Sequence, residues 1–294
     1  MSYRFRQKEK IPAGIRRIGR EQISAALIGF SRNDNIHLSI HQARKRLKCI
    51  RSLLHLIRPG LDPAIFKTED RRYRNIGRKM SSARDAQVLL ETLTQLENRF
   101  GISNTSTLRS WLHDRHQQAE LKLDKQLLRE VENDLHAGKK QFSKLGLKQI
   151  GFIQMAQGAK ITYKQGRAAF LQASHTQDGE HYHDWRKDAQ RHWRHMQLLR
   201  PCWPEMIDTR ARYAHRLAQL LGDDHDLEVF AQLVNKHQGE FKDDLDLENL
   251  LSSTRKAQKD LRKSSNTHAH LLYAEKPSHF QLRLTAYWEA SVGL

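Results

Sequence analysis

The 294-residue sequence has few of the features that mark secreted or membrane proteins. Its two cysteines, Cys49 and Cys202, both lie inside predicted helices, so no disulfide framework is expected and a reducing compartment is favoured. No apolar run approaches the length needed to span a membrane, and the N-terminal residues lack the apolar core of a signal peptide. We therefore expect a cytoplasmic protein with no membrane partner.

Proline and strand-forming patterns are also scarce. The chain has six prolines, and it lacks alternating β-branched runs bounded by glycine or Asn-Gly turns. Apolar residues instead recur with the period of a helix. This pattern predicts an all-α fold, with helices in the first half at 15–31, 38–57, 64–80, 84–99 and 106–144.

Several catalytic motifs are missing as well. The sequence has no glycine-rich phosphate loop of the GxxxxGK type and no serine nucleophile elbow. It also lacks the clustered carboxylates that a magnesium-dependent hydrolase needs. We therefore predict no catalytic residue and no cofactor.

Positive charge, by contrast, is abundant. The chain has 51 Lys and Arg against 33 Asp and Glu, which gives a formal net charge of +18. Such a charge implies a polyanionic partner, which could be nucleic acid, an anionic membrane or a phosphate polymer.

The segment from His37 to Leu61 concentrates this charge on one side of a helix and contains no acidic residue. Its apolar stripe consists of Ile40, Ala43, Leu47, Ile50, Leu54 and Ile57. The stripe one position further on consists of His41, Arg44, Lys48, Arg51, His55 and Arg58. Solvated helix faces usually mix both signs, and like charges at these spacings cost about a few tenths of a kcal/mol each. We interpret the second stripe as an anion-binding surface.

The second half of the chain repeats the first. At an offset of 142 residues, the segment from His183 to Trp203 aligns with the basic helix, and the identities are His41 with His183, Arg44 with Arg186, Lys45 with Lys187, Arg58 with Arg200 and Pro59 with Pro201. Further on, Asp85 matches Asp226 and Val88 matches Val229 at an offset of 141. We therefore predict one domain over 1–294 that contains two helical-bundle copies, at 15–145 and 146–294. Related by a pseudo-two-fold axis, the copies could turn both basic stripes toward a shared cleft.

The ordered motifs resemble those of the CHAD family, the conserved histidine α-helical domain. The matching motifs are His41, Arg44, Lys45, Lys48 and Arg51, then Arg84-Asp85, then Tyr163, Lys164 and Arg167, then His183, Arg186 and Lys187, and last His225-Asp226. The resemblance covers roughly residues 20–240. It implies two tandem four-helix bundles related by pseudo-two-fold symmetry, with a basic central cleft that binds inorganic polyphosphate. The alternating Glu-x-Glu-x-Lys strand of the family's triphosphatase partner domain is missing, so the chain is expected to be the binding domain alone.

The predicted polyphosphate-binding residues follow from these motifs and from basic residues on the neighbouring predicted helices. They are His41, Arg44, Lys45, Lys48, Arg51, Arg58, Arg71, Arg78, Arg84, Lys164, Arg167, His183, Arg186, Lys187, Arg191, Arg194, Arg212, Arg216 and His225. The expected partners are inorganic polyphosphate, other polyanions and polyphosphate-metabolising enzymes. Localisation at polyphosphate granules follows from that expectation.

The second copy departs from the first within its basic helix. Gln190 stands opposite Lys48 and Trp193 stands opposite Arg51, while Arg191 and Arg194 lie one position further on. We therefore expect the second copy to hold the anion less closely.

The His225-Asp226 pair admits a second interpretation, because a His-Asp pair occurs in metal-dependent phosphohydrolases. The first copy has Arg84 in the equivalent place, and an arginine cannot ligate a metal. We favour a structural role, in which Asp85 and Asp226 lie near helix starts and either cap backbone amides or orient basic side chains. The 17 histidines indicate no metal site, but they predict tighter anion binding as pH falls toward the histidine pKa of about 6.5.

Two other functions remain open at this point. A nucleic-acid-binding protein would need base-reading side chains or exposed aromatic residues between the cations, and the first basic stripe has neither. A polyphosphate or nucleotide hydrolase would need magnesium ligands. We rank polyphosphate binding first, nucleic-acid binding second and hydrolysis third.

Overall fold

A computed structural model describes residues 3–32, 36–241 and 247–292 of the chain. In this part of the chain all regular structure is helical, which confirms the all-α prediction. The helices are α1 (Ile11–Arg32), α2 (Ile36–Ile57), α3 (Pro63–Lys79), α4 (Ser81–Phe100), α5 (Ser106–Leu121), α6 (Lys125–Ser143), α7 (Phe152–Thr176), α8 (Gly179–Leu198), α9 (Pro204–Lys236), α10 (Leu247–Leu272) and α11 (Pro277–Val292). Short 3₁₀ turns follow α2, α8 and α9. None of the described helices is both long and apolar enough to cross a membrane.

The two halves of the chain begin with the same order of elements. In each half a long helix is followed by a basic helix, then by a 3₁₀ turn that begins with Arg-Pro, at Arg58–Gly60 and Arg200–Cys202. The halves then differ, because two separate helices, α3 and α4, follow the turn in the first half, while a single helix of 33 residues, α9, follows it in the second. The pseudo-two-fold relation and the boundary between 145 and 146 stay predictions.

Helix packing explains how the basic helices are held. In the first half, α1 and α3 each pack against both α2 and α6. In the second half, α8 packs against α7 and α9, and α11 packs against α7. The halves join where α2 packs against α7 and α8. Both basic helices therefore meet at the junction of the two halves.

Each of the two larger apolar cores contains residues from both halves. The larger core includes Leu53 of α2 and Trp185 of α8. The smaller core joins Leu93 of α4 to Phe230 of α9 and Leu250 of α10. The two halves therefore share buried surface, which fixes them against each other.

The single helix predicted over 106–144 is wrong. The structure has two helices there, α5 and α6, and the chain turns at residues 122–124. Asp124 caps α6, because its side chain accepts a hydrogen bond from the backbone N–H of Leu127 at 2.7 Å. The turn allows α6 to return and pack against α1 and α3. The sequence did not reveal this turn, because the helical spacing of apolar residues continues through it.

A glycine allows the two halves to approach closely. At Gly158 of α7, an added Cβ would lie 1.9 Å from the carbonyl oxygen of Leu56 in α2. No side chain fits at that distance, and the atom in the way belongs to the backbone. Gly158 therefore sets the separation between α7 and α2.

We expect Gly158→Ala to lower the free energy of unfolding by about 1–3 kcal/mol or more, because α2 and α7 must separate to admit a methyl group. Chemical denaturation followed by circular dichroism measures this change. The matched control is Gly146→Ala, because an added Cβ there meets no atom within 4 Å. That variant should remain within about 1 kcal/mol of the parent. Equal effects of the two substitutions would contradict the assigned role of Gly158.

Candidate anion-binding site

A basic cleft of about 520 Å³ lies between α2 and α8 and is closed on one side by α3. The basic residues that line it are Lys48, Arg51, His55, Arg74, Arg78, Lys187, Arg191 and Arg194. The other lining residues are Ser52, Phe66, Asp70 and Gln190. Three helices thus turn their basic side chains toward one concave surface.

The buried faces of α2 and α8 determine this arrangement. Leu47, Ile50 and Leu54 on α2 are buried in the larger core, as the apolar stripe predicted. On α8, buried His195 is bonded to α2, because its Nε2 lies 2.9 Å from the carbonyl oxygen of Ser52. A carbonyl oxygen only accepts, so Nε2 carries the hydrogen. Burial lowers the pKa of His195 to about 3, which keeps the ring neutral.

Asp70 partly compensates the charge at one end of the cleft. This carboxylate is only 4% exposed and accepts hydrogen bonds from Arg51 at 2.8 and 3.2 Å and from Arg74 at 2.6 Å. The Nε2 atom of His55 lies 3.5 Å from it. Burial opposes ionisation of Asp70, but the hydrogen bonds from His55 and Arg51 outweigh it and hold the pKa of the carboxyl well below its usual range. Asp70 therefore stays ionised and fixes the two guanidinium groups.

Three further arginines of the site face carboxylates, at longer range in two cases. Arg191 pairs with Asp188 within α8. Arg44 lies 3.6 Å from Asp85 of α4, and Arg186 lies 4.0 Å from Asp226 of α9.

The predicted capping role of Asp85 and Asp226 is not observed. Asp226 lies in the interior of α9, and Asp85 is the fifth residue of α4. The second alternative fits the structure, because each carboxylate lies beside the arginine of its basic helix, Arg44 or Arg186.

A second basic cluster lies beyond Lys48, where α2 and α8 face α4 and α9. Its members are His41, Arg44, Arg84, His183, Arg186 and His225. The rings of His183 and His225 stack with centroids 4.3 Å apart. Burial and the charge of Arg186 lower the pKa of His225 to about 3. The stacked imidazoles are therefore neutral near pH 7, and protonation begins below the pH expected from the sequence.

Two basic side chains at the centre of the site have no carboxylate partner among the described residues. Arg194 is only 6% exposed, and its guanidinium donates to the carbonyl oxygen of Gln190 at 3.0 Å and lies over the Trp193 ring. Lys48 is exposed, but Arg186, Arg194 and Arg44 surround it. A buried charge without a counter-ion is costly. The centre of the site therefore favours a bound anion.

The structure brings most of the predicted binding residues together. The cleft contains Lys48, Arg51, Arg78, Lys187, Arg191 and Arg194, and the second cluster contains His41, Arg44, Arg84, His183, Arg186 and His225. Arg58 lies over the ring of Phe66 at the edge of the cleft. Lys45 is exposed on α2 near His41. The second half of the chain contributes Lys187, Arg191 and Arg194 to the cleft, while Trp193 stacks on His215.

The other predicted residues lie outside the cleft lining. Arg71 and Lys164 are exposed on α3 and α7. Arg167 donates to the backbone carbonyl of Tyr273 at 3.2 Å, and Arg212 donates to Thr209 at 3.0 Å. Arg216 is exposed on α9 near Asp223. Charge alone did not distinguish these residues from those in the cleft.

Sequence reasoning missed three members of the site. His55 belongs to the basic stripe but is not among the predicted binding residues, and no predicted motif includes Arg74 or Asp70. The sequence signal for Asp70 and Arg74 was their spacing of four residues in a helix, which allows an ion pair. In the described residues, no group of three histidine, cysteine or acidic side chains is placed to hold a metal ion.

The stacked histidines give a prediction for pH dependence. His225 should remain neutral until the pH approaches about 3, whereas in the unfolded chain it should titrate near the usual histidine value of about 6.5. The folded state then binds fewer protons than the unfolded state, so this residue lowers stability as pH falls below about 6.5. Proton NMR of the imidazole C2–H resonance, assigned with His225→Gln, measures the folded value. A midpoint at or above 6.5 in the folded protein would contradict the structure.

Comparison with known proteins gives one clear result. The family model of the CHAD domain matches residues 20–235, which is well over half of the chain. No curated protein matches the chain. The matched region contains α2, α3, α4, α8 and nearly all of α9, and these helices carry the cleft and the second basic cluster. The chain therefore belongs to the CHAD domain family.

Proposed function

We propose that this chain binds inorganic polyphosphate in the cleft between α2 and α8 and in the adjoining second basic cluster, without cleaving it. CHAD domains are in general associated with polyphosphate binding and are not a known catalytic family. The proposal assigns that property to named residues of this chain.

The observation that carries the proposal is the buried guanidinium of Arg194. It is 6% exposed and lines the cleft, and no carboxylate pairs with it among the described side chains. A phosphate oxygen would supply the missing negative charge and accept charge-assisted hydrogen bonds. Lys48 stands next to it and likewise has no carboxylate partner.

The arrangement of the cations suits a linear ligand. From His41 to Arg58 the basic stripe of α2 runs for about 25 Å, because each residue advances a helix by about 1.5 Å. The cleft lies on one side of Lys48 and the second cluster on the other. A chain of phosphates could contact both, and the sum of many weak contacts would give strong salt dependence.

Nucleic acid is a weaker candidate because the aromatic rings near the cleft are already in contact with other side chains. Phe66 contacts His55 edge-on at 5.1 Å and lies under Arg58. Trp193 stacks on His215 with centroids 4.1 Å apart. Single-stranded nucleic acid binds largely by stacking its bases on exposed aromatic rings.

The carboxylates of the site argue against hydrolysis. Asp70, Asp85, Asp188 and Asp226 each face an arginine, at distances up to 4.0 Å. A magnesium ion in a phosphate-transferring site is usually held by carboxylates that are free to coordinate it. In this site the acidic groups orient cations instead.

Removal of one cation from the centre of the site and one from the second basic cluster should weaken polyphosphate binding. The double variant Arg44→Ala, Lys48→Ala should lose affinity by at least about ten-fold, since hydrogen bonds to charged groups contribute about 1.5–3 kcal/mol each. The slope of log affinity against log salt should also fall by somewhat less than one unit for each lost phosphate contact. Fluorescence anisotropy of labelled polyphosphate across a salt series measures both quantities.

The matched control for this experiment is the double variant Arg71→Ala, Arg212→Ala, which removes the same charge from exposed positions outside the cleft. It should bind nearly as well as the parent, because screening weakens distant charges. Circular dichroism should show both variants folded. Equal losses in the two variants would mean that net charge, and not the cleft, determines binding.

A competition experiment separates polyphosphate from other polyanions. Labelled polyphosphate bound at near-physiological salt should be displaced far more effectively by unlabelled polyphosphate than by mass-matched duplex DNA, RNA or heparin. We expect this order because the cations along α2 are spaced to suit a chain of phosphates, and because the aromatic rings near the cleft are already in contact with other side chains. Efficient displacement by RNA or DNA would favour nucleic-acid binding. As a control, the labelled chains should keep their length after incubation with magnesium, because steady shortening would indicate hydrolysis.

A further inference from the structure

Lys48 has an unusual set of charged neighbours for an exposed lysine. They are His41 and Arg44 on its own helix, Asp85 on α4, Arg186 and Arg194 on α8, and His225 and Asp226 on α9. The two carboxylates lie beside Arg44 and Arg186, at 3.6 and 4.0 Å. Lys48 itself forms no salt bridge with any described side chain. Its ammonium group therefore lies in positive surroundings.

The other lysine of the cleft is held differently. Nζ of Lys187 lies 2.8 Å from the carboxylate of Asp184, with which it forms an ion pair within α8. Lys45 is exposed on α2, three residues before Lys48, and does not line the cleft. Lys48 is thus the cleft lysine that no described carboxylate holds.

These surroundings make the amine of Lys48 available as a nucleophile. Although the side chain as a whole is exposed, desolvation of its amine within the cleft and the charges of Arg186, Arg194 and Arg44 lower its pKa to about 8. About a quarter of the molecules would then carry a neutral amine at pH 7.5, against about one in a thousand for an ordinary lysine. Lysines placed next to other cations are activated in this way in enzymes that use them as nucleophiles.

The cations around Lys48 would also attract an acylating reagent of a particular kind. Arg51, Arg191 and Arg194 line the same cleft and present guanidinium groups that suit a phosphate. An acyl phosphate has an anionic phosphate joined directly to an electrophilic carbonyl carbon. If the cleft held the phosphate, the carbonyl carbon would be brought close to the Lys48 amine.

We propose that Lys48 is a site of acylation by acyl phosphates that bind in the cleft through their phosphate group. The neutral Nζ attacks the carbonyl carbon, a C–N amide bond forms, and the C–O bond to the phosphate breaks. Inorganic phosphate leaves with the bonding electron pair, and the proton lost from nitrogen passes to phosphate or water. The reaction involves no change of oxidation state and no co-reactant besides the acyl phosphate.

Acylation would also act on the proposed function, and this part of the inference rests on it. An acyl-lysine is uncharged, so the reaction removes a positive charge from the centre of the site. Polyphosphate bound there would in turn cover Lys48 and protect it. Acylation and polyphosphate binding would therefore exclude each other.

Acetyl phosphate is the probe for the test. The full-length protein is incubated with it at pH 7.5, and mass spectrometry follows acetylation at Lys48 and at Lys45 over time. Lys48 should react at least about ten-fold faster than Lys45, because the neutral fraction of Lys48 is larger than that of an ordinary lysine and because the cleft concentrates the reagent. With p-nitrophenyl acetate, a neutral donor, the preference for Lys48 should be smaller. Equal rates at Lys48 and Lys45 with acetyl phosphate, or the same preference with both donors, would overturn the proposal.

Two variants separate the acylation site from the proposed function. Lys48→Arg keeps a positive charge at this position, so it should lose the fast-reacting site and retain more polyphosphate affinity than a variant without that charge. Lys48→Gln resembles the acylated side chain and should bind polyphosphate more weakly. If the parent fails to bind polyphosphate but Lys48 still reacts preferentially with acetyl phosphate, the proposed function fails and the acylation site stands. If the parent binds polyphosphate and Lys48 reacts no faster than Lys45, the acylation site fails alone.

Discussion

The close packing of α2 against α7 and α8 is the contact on which the site depends. Gly158 permits the backbone of α7 to reach Leu56, and His195 of α8 is bonded to the backbone of Ser52. Both contacts lie on the buried side of α2, where the apolar stripe enters the larger core. Because that side is fixed, the neighbouring basic stripe must face the basic face of α8. Burial of apolar surface thus holds together two helices that electrostatic repulsion would separate.

The protein offsets this repulsion unevenly. At one end of the cleft, the carboxylate of Asp70 pairs with Arg51, Arg74 and His55. Towards the second basic cluster, the pairs of Arg44 and Arg186 with their carboxylates are longer. Between them, Lys48 and Arg194 have no described carboxylate partner. The carboxylates therefore neutralise the cations to different extents along the site. The largest unbalanced positive charge lies in the middle, where an anion would be bound most strongly.

The neutral histidines fit the same electrostatic picture. Desolvation and nearby lysine and arginine side chains lower the pKa of His183 and His225, so these rings add no charge to the crowded site near pH 7. A bound anion would oppose the second cause, because it adds negative charge beside the rings. Such an anion would therefore favour protonation of the histidines, whereas the arginines are charged with or without it.

Much of the fold followed from local patterns in the sequence. The apolar stripe of α2 correctly gave its buried face, the scarcity of strand patterns correctly gave an all-α fold, and the ordered motifs correctly indicated the CHAD family. The turn at residues 122–124 was missed because its one signal, the capping residue Asp124, sits in an otherwise helical pattern. The position of Asp226 was also wrong, because α9 runs continuously where the first half has two helices.

The sequence by itself determined which residues could form the site, and the tertiary structure decided which of them do. Helical spacing placed His41, Arg44 and Lys48 on one face, because neighbours on a helix depend only on its period. Spacing could not show that Arg74 joins that face from α3, or that Arg167 turns away to the carbonyl of Tyr273. Those outcomes depend on how separate helices cross, which is set by the packing of residues far apart in the chain. The same holds for Arg194, which has no carboxylate beside it among the described residues. Which charged side chains pair depends on how α2, α3, α8 and α9 pack together.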